Sequence, residues 1–312
     1  MEVQIPLYDD TYWSGIAYAS YPVQDVASDS LKNKIIFDLS SFVTKISNNI
    51  ISYTLTYLKD SLSSEQNNVA FAMLQRATIS HICNHKLSKE GISIRKGDKV
   101  YTITDEYKTM PLSRSVYEYL VMFYYLFQYA DNQDQREFIW NSWRLVSKKN
   151  QIQENLSEFE EERQSAIKEY EKLCDNLRNR KLAQKCIACH KGSFESSLNG
   201  NTLFTIVNKG EDYIPRKLTY DTAWKYLYKG NKGFSLTYKF LSMHSHPTYD
   251  GLLQFYNQEL TIAFPLYESC HFMAYLCRIY MEHMHIKKDD IIGSYTEREK
   301  GIFSFLANES FW

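Results

Sequence analysis

The chain has 312 residues, 44% apolar and 23% charged, with a formal net charge of −1. This composition excludes wholesale disorder and allows a sizeable core. It also excludes a globally basic surface that would hold nucleic acid through its phosphates, leaving room only for a local basic patch.

The opening residues, MEVQIPLYDDTYW, show neither a basic n-region nor an apolar h-region, so no secretory signal is expected there. Ile35, Leu39, Phe42, Ile46, Ile50, Leu55 and Leu58 recur at helical spacing and predict a helix over residues 30–61. A second helix is predicted over 67–87, closed by SKEG. Residues 91–107 alternate apolar and polar about a Lys-Gly-Asp turn and predict a small β-hairpin. Pro111 then opens an apolar helix through Ala130, proline being tolerated in a first turn. The apolar run 116–130 contains Glu118 and is too short and too polar to span a bilayer. A further helix is predicted near 135–146.

Residues 151–185 are crowded with Glu, Lys, Arg and Gln and predict a long, solvated helical arm. The stretch 190–217 reads as loop, with one strand at 202–207. Helices resume near Thr219, and 252–285, rich in Phe, Leu, Tyr and Met, is expected to supply core helices. Only 11 glycines and 6 prolines interrupt the chain, which favours long helices. The 25 tyrosines imply a core edged with hydrogen bonds, since each buried ring brings a hydroxyl that needs a partner. The six cysteines, with no signal segment, are expected to be free thiols in a cytoplasmic protein. The expected fold is mostly α: one domain over 1–312, a multi-helix bundle with the hairpin insert and the charged arm.

The segment KFLSMHSHPTYD (239–250) is the most suggestive. His244-Ser-His246-Pro247 resembles the core of the JAMM metalloprotease motif, in which two histidines and a downstream aspartate hold zinc. That family places a serine eight residues after the proline and an aspartate three later; Phe255 and Gln258 stand at those positions here, and Asp250 comes too early. Chelation by histidines at i and i+2 also needs extended backbone. Alternation of Phe234, Leu236, Tyr238 and Phe240 permits a strand. Phe234, Tyr238 and Leu241 equally fit a helix, in which His244 and His246 point about 200° apart. Helical neighbours favour the second reading, with Pro247 disfavouring helix at His246.

A second resemblance covers more of the chain, loosely residues 65–285. The run Tyr238-x3-Ser242-x3-His246-Pro247, with Arg114 and Glu118 four apart on an earlier helix, is similar to the hallmark of an uncharacterised bacterial family of helical domains. Some members resemble HEPN domains, α-helical modules of antiviral and toxin systems, many of them ribonucleases. The resemblance implies a centre of Arg114, Glu118, Ser242 and His246, in which an arginine neutralises phosphoryl charge and a histidine moves a proton. The competing reading makes Arg114–Glu118 an ion pair between helices and Ser242 and His246 capping groups.

Other motifs compete. CIACHKG (186–192) matches the c-type haem pattern, and Cys186 with Cys189 could form half of a zinc site. RATISH (76–81) and RIYMEH (278–283) both fit an Arg-x4–6-His nuclease pattern, at a frequency chance alone would supply. No P-loop, GxGxxG or GxSxG is present. The expected function is a bacterial effector acting on RNA, possessing no cofactor, with a protein partner or a second copy on its charged helix and no membrane. The rivals are a non-enzymatic helical scaffold and a zinc-dependent hydrolase built on His244 and His246.

Overall fold

The computed structural model describes residues 29–89, 92–96, 99–103, 107–153, 160–230, 232–244 and 264–307. The chain is mostly α-helical, with two small antiparallel hairpins among the described residues. It divides into two compact units, residues 1–120 with 236–312, and residues 121–235.

In the first unit, α1 (Asp29–Tyr57) and α2 (Glu65–Lys89) pack against each other and against α9 (Phe264–His283). The unit also takes in β1 (Ile92–Lys96) and β2 (Lys99–Ile103), the predicted hairpin, in register Ile92↔Ile103 to Lys96↔Lys99. α9 is its centre. Leu266, Tyr267, Cys270, Phe272, Met273, Leu276, Cys277 and Tyr280 are all buried, so the helix is apolar around most of its circumference and can only sit inside. α10 (Lys288–Ile292) and α11 (Glu297–Leu306) follow. α11 begins on a capping box: Thr296 Oγ1 accepts from the Glu299 backbone N–H, and the Glu299 carboxylate accepts from the Thr296 N–H at 2.8 Å. The sequence Thr-Glu-Arg-Glu thus satisfies two helix-end donors reciprocally. α3 (Met110–Phe127) carries Pro111 in its first turn, as expected.

The second unit contains α4 (Gln133–Gln153), α5 (Glu160–Arg178), α6 (Lys181–Leu198), β3 (Phe204–Lys209), β4 (Asp212–Lys217) and the single turn α7 (Trp224–Leu227). Its core gathers Phe138 and Leu145 of α4, Leu173 and Leu177 of α5, Phe194 and Leu198 of α6, and Phe204 and Ile206 of β3. The charged stretch 151–185 is therefore no single arm. It is shared among the end of α4, all of α5 and the start of α6, and Ala166, Leu173, Cys174 and Leu177 turn a narrow apolar stripe inward. The expected loop at 190–217 is likewise corrected: α6 runs to Leu198 through a kink at His190 (φ −138°, ψ 46°), which carries Ala183 and Cys186 before it, and Phe194 and Leu198 after it, into one core.

The β3–β4 hairpin closes on Gly210-Glu211, because Lys209 pairs with Asp212. Gly210 has φ +72°, the left-handed value that a tight hairpin loop needs at its first position. A Cβ there would meet no atom within 4 Å, so the penalty is purely conformational. Gly210→Ala is expected to destabilise the second unit by about 1 kcal/mol, measured as a lower denaturant midpoint with an unchanged slope.

Candidate functional site

α8 (Lys232–His244) settles the local question for its own residues: the segment up to His244 is helix, and the extended backbone on which His-x-His chelation depends is not found there. His246, Pro247 and Asp250 lie outside the described residues. Tyr238, one turn before Ser242, anchors α8. Its ring lies 4.9 Å from that of Tyr117, which is fully buried on α3 and meets Phe272 of α9 edge-on at 5.0 Å.

The same Tyr238 ring faces the first two candidate residues. Arg114 Nε donates to Glu118 Oε1 at 2.8 Å, one turn apart on α3, and the Arg114 guanidinium sits 5.9 Å from the Tyr238 ring centre. The side chains keep 24% and 30% of their surface, so the pair is neither a closed core bridge nor a free surface contact. Partial burial opposes the arginine charge, yet the hydrogen bond and charge of Glu118, with Tyr238 adding, hold the Arg114 pKa above its ordinary value. Arg114, Glu118 and Tyr238 are thus brought together. Ser242, half-buried, follows one turn along α8.

The alternative motifs separate in space. Arg76 is exposed and lines a shallow groove with Asn48, Ile51, Gln75, Ile79 and Tyr119. His81 points the other way, fully buried, so this pair makes no common centre. Arg278 binds Glu282 at 2.9 Å and the Ala307 carbonyl at 3.0 Å. Cys186 is buried, which pushes its thiol up to about 11, and Cys189 is exposed three residues on. His190 is engaged by Asp212 at 3.0 Å. Among the described residues no group of three or more His, Cys, Asp or Glu side chains is placed to hold a metal ion.

Sequence reasoning missed the most connected polar cluster. Ser40 Oγ lies 3.1 Å from His81 Nε2 and 3.0 Å from His85 Nδ1, and His81 Nδ1 lies 2.7 Å from Ser269 Oγ. Three helices, α1, α2 and α9, are stitched by one chain of hydrogen bonds. Beside it Asn84 donates to Ser113 Oγ, which donates to the Pro265 carbonyl, both at 2.6 Å. The signals present were the i, i+4 histidines of HICNH and the seven-residue spacing of Ser40, Ser47 and Thr54, all buried on one face of α1. Neither reveals its partners on other helices.

Fold and site together define a mostly α-helical protein with a half-buried Arg–Glu–Tyr cluster. Comparison with protein-family models, with curated proteins and with solved structures finds no match.

Proposed function

We propose that the chain is a helical effector that acts on RNA, in a defence or toxin-like setting, through a centre of Arg114, Glu118, Ser242 and His246. The observation that supports this reading is the accessible Arg114–Glu118 pair, packed on the helix that carries Ser242 and leads toward His246. The short family-like motifs supply the remainder. In this reading Arg114 counters charge developing on a phosphoryl oxygen, Glu118 fixes the guanidinium, and His246 transfers a proton. The test is cleavage of labelled single-stranded RNA by the full chain. Arg114→Ala is expected to slow cleavage about 100-fold, the usual cost of one lost charge-stabilising donor, and His246→Ala comparably. Rates unchanged in both variants, or no cleavage by the wild type, would remove the reading.

The scaffold alternative has its own support in exposed apolar side chains of the first unit: Leu55 at 49%, Tyr57 at 71%, Ile79 at 60% and Leu236 at 66%. A concentration-dependent mass in solution, lowered by Ile79→Asp, is what that alternative expects.

A further inference from the structure

Several arginines and lysines of the second unit are held by carboxylates. Arg144 and Lys148 meet Glu169 at 2.7 and 2.9 Å, Arg178 meets Glu195 at 3.0 Å, and Arg180 meets Asp134 and Glu137 at 3.2 and 2.6 Å, whereas Lys168, Lys172, Lys181 and Lys191 make no ion pair among the described residues. A further group sits on the β3–β4 hairpin and around the α7 turn, next to aromatic side chains. Lys209, Arg216, Lys217, Lys225 and Lys229 are all exposed, and none makes an ion pair among the described residues. Of the nearby carboxylates, Asp212 is already held by His190.

Two of these cations lie beside aromatic rings. The Arg216 guanidinium lies 5.2 Å from the centre of the Tyr226 ring, which is braced edge-on by Tyr129 at 5.2 Å. Lys225 lies 5.9 Å from the Trp224 ring. Tyr226 and Trp224 are only half-buried, so their faces are not used up in the core. The register sets Arg216 opposite Thr205, and Thr205 and Lys209, four residues apart on one strand, point to the same side. Arg216 and Lys209 are therefore about 13 Å apart along the ladder, far enough to engage different phosphates of one strand.

We propose that this hairpin–α7 face binds single-stranded RNA, its bases stacking on Tyr226 and Trp224 while Arg216 and the lysines neutralise phosphates. An acidic protein surface would answer the charge but has no use for the aromatic planes; a single strand uses both. The assignment gives the RNA reading a docking surface, and rests on it only for RNA as the substrate class.

The test is binding of a fluorescent 12-residue oligouridine to the full chain, by anisotropy across a salt series. Lys209→Ala/Arg216→Ala/Lys225→Ala is expected to weaken binding at least tenfold. Removing three phosphate contacts should also flatten the log K against log salt slope by about 2. Tyr226→Leu is expected to weaken binding about fivefold or more, through lost stacking, with the slope unchanged. The substituted cations are exposed, and an unchanged circular dichroism spectrum checks the fold. Wild-type protein that does not bind, a triple variant that binds as wild type does, or oligoglutamate that displaces the RNA as well as unlabelled oligouridine does would each overturn the proposal. Because binding is read rather than turnover, a protein that binds through this face but cuts nothing counts against the Arg114 centre and supports the docking surface.

Discussion

Taking the protein from pH 6.5 to pH 4 is expected to loosen the first unit progressively, with stability greatest near pH 6.5. Three histidines set the acid side. Burial pushes His81, His85 and His271 down to about 4, with Lys89 assisting at His85. Hydrogen bonds from His81 to Ser40 and Ser269 and from His271 to the Leu306 carbonyl tie them into the helix contacts. In the unfolded chain they titrate near 6.5. Between pH 4 and 6.5 the unfolded chain therefore binds more protons, so stability present above 6.5 is lost as pH falls through 4. For fully buried His81 this amounts to about 3 kcal/mol. The less enclosed His85 and His271 add smaller amounts in the same direction.

That sum is comparable to much of the stability of an ordinary domain. The alkaline side is set by Glu268, which burial pushes up to about 8. Its stability contribution is complete below pH 4.5 and is lost as pH rises through 8, so it opposes the histidines over part of the acid range and acts without them above 6.5. Amide hydrogen exchange in α9 reads this unit directly. Trp140, Trp143 and Trp224 lie in the other unit, so tryptophan fluorescence alone is an unsuitable probe. Exchange protection in α9 that stays constant from pH 8 to pH 4, after correction for intrinsic rates, would refute the account.

The features legible in the sequence were those whose cause is local. α9 announced itself by an apolar run too dense for a surface helix, and its burial follows. The hairpin at 92–103 was visible in its alternation about Lys-Gly-Asp. Arg114 and Glu118 could be paired on paper because i, i+4 is a helix-surface distance. Illegible features were those in which geometry depends on a kink or on distant partners. Ala183, Cys186, Phe194 and Leu198 keep helical phase, but the polar letters HKGS at the kink made the second half of α6 look like loop. The charges of α5 masked a stripe of only four buried residues.

The site shows the same limit. RATISH suggested a reactive histidine, but what fixes His81 comes from Ser40 and Ser269, 41 and 188 positions away, and no spacing rule links them. Tyr238 was noted for its motif, whereas its position against Tyr117 and Arg114 is a product of helix packing. Arg216 and Lys225 were present as letters, yet their placement beside Tyr226 and Trp224 emerges only from the fold.

Replacing Glu268 by methionine is expected to stabilise the first unit, and by more at pH 8 than at pH 5. Glu268 keeps 7% of its surface, and its Oε2 has no hydrogen-bond partner among the described residues. Tyr267 and Cys270, two nearby ionisable groups of α9, are themselves pushed up by burial and carry no positive charge to compensate it. A buried carboxyl in this setting holds its proton at a cost that grows with pH, since the unfolded chain ionises freely above 4.5. Methionine has similar length, no charge and enough flexibility to fill the space. At pH 5 the gain is the removal of an unsatisfied polar group, on the order of 1–2 kcal/mol. At pH 8 the loss of the ionisation penalty adds about 3–4 kcal/mol. Glu268→Gln separates the two contributions, because the amide keeps the polar burial and removes only the titration. Its stability relative to wild type should therefore rise between pH 5 and pH 8 even where its absolute value does not exceed wild type. Equal shifts at both pH values for Glu268→Gln would show that Glu268 titrates normally in the folded chain, and would withdraw with it the alkaline limb of the pH profile.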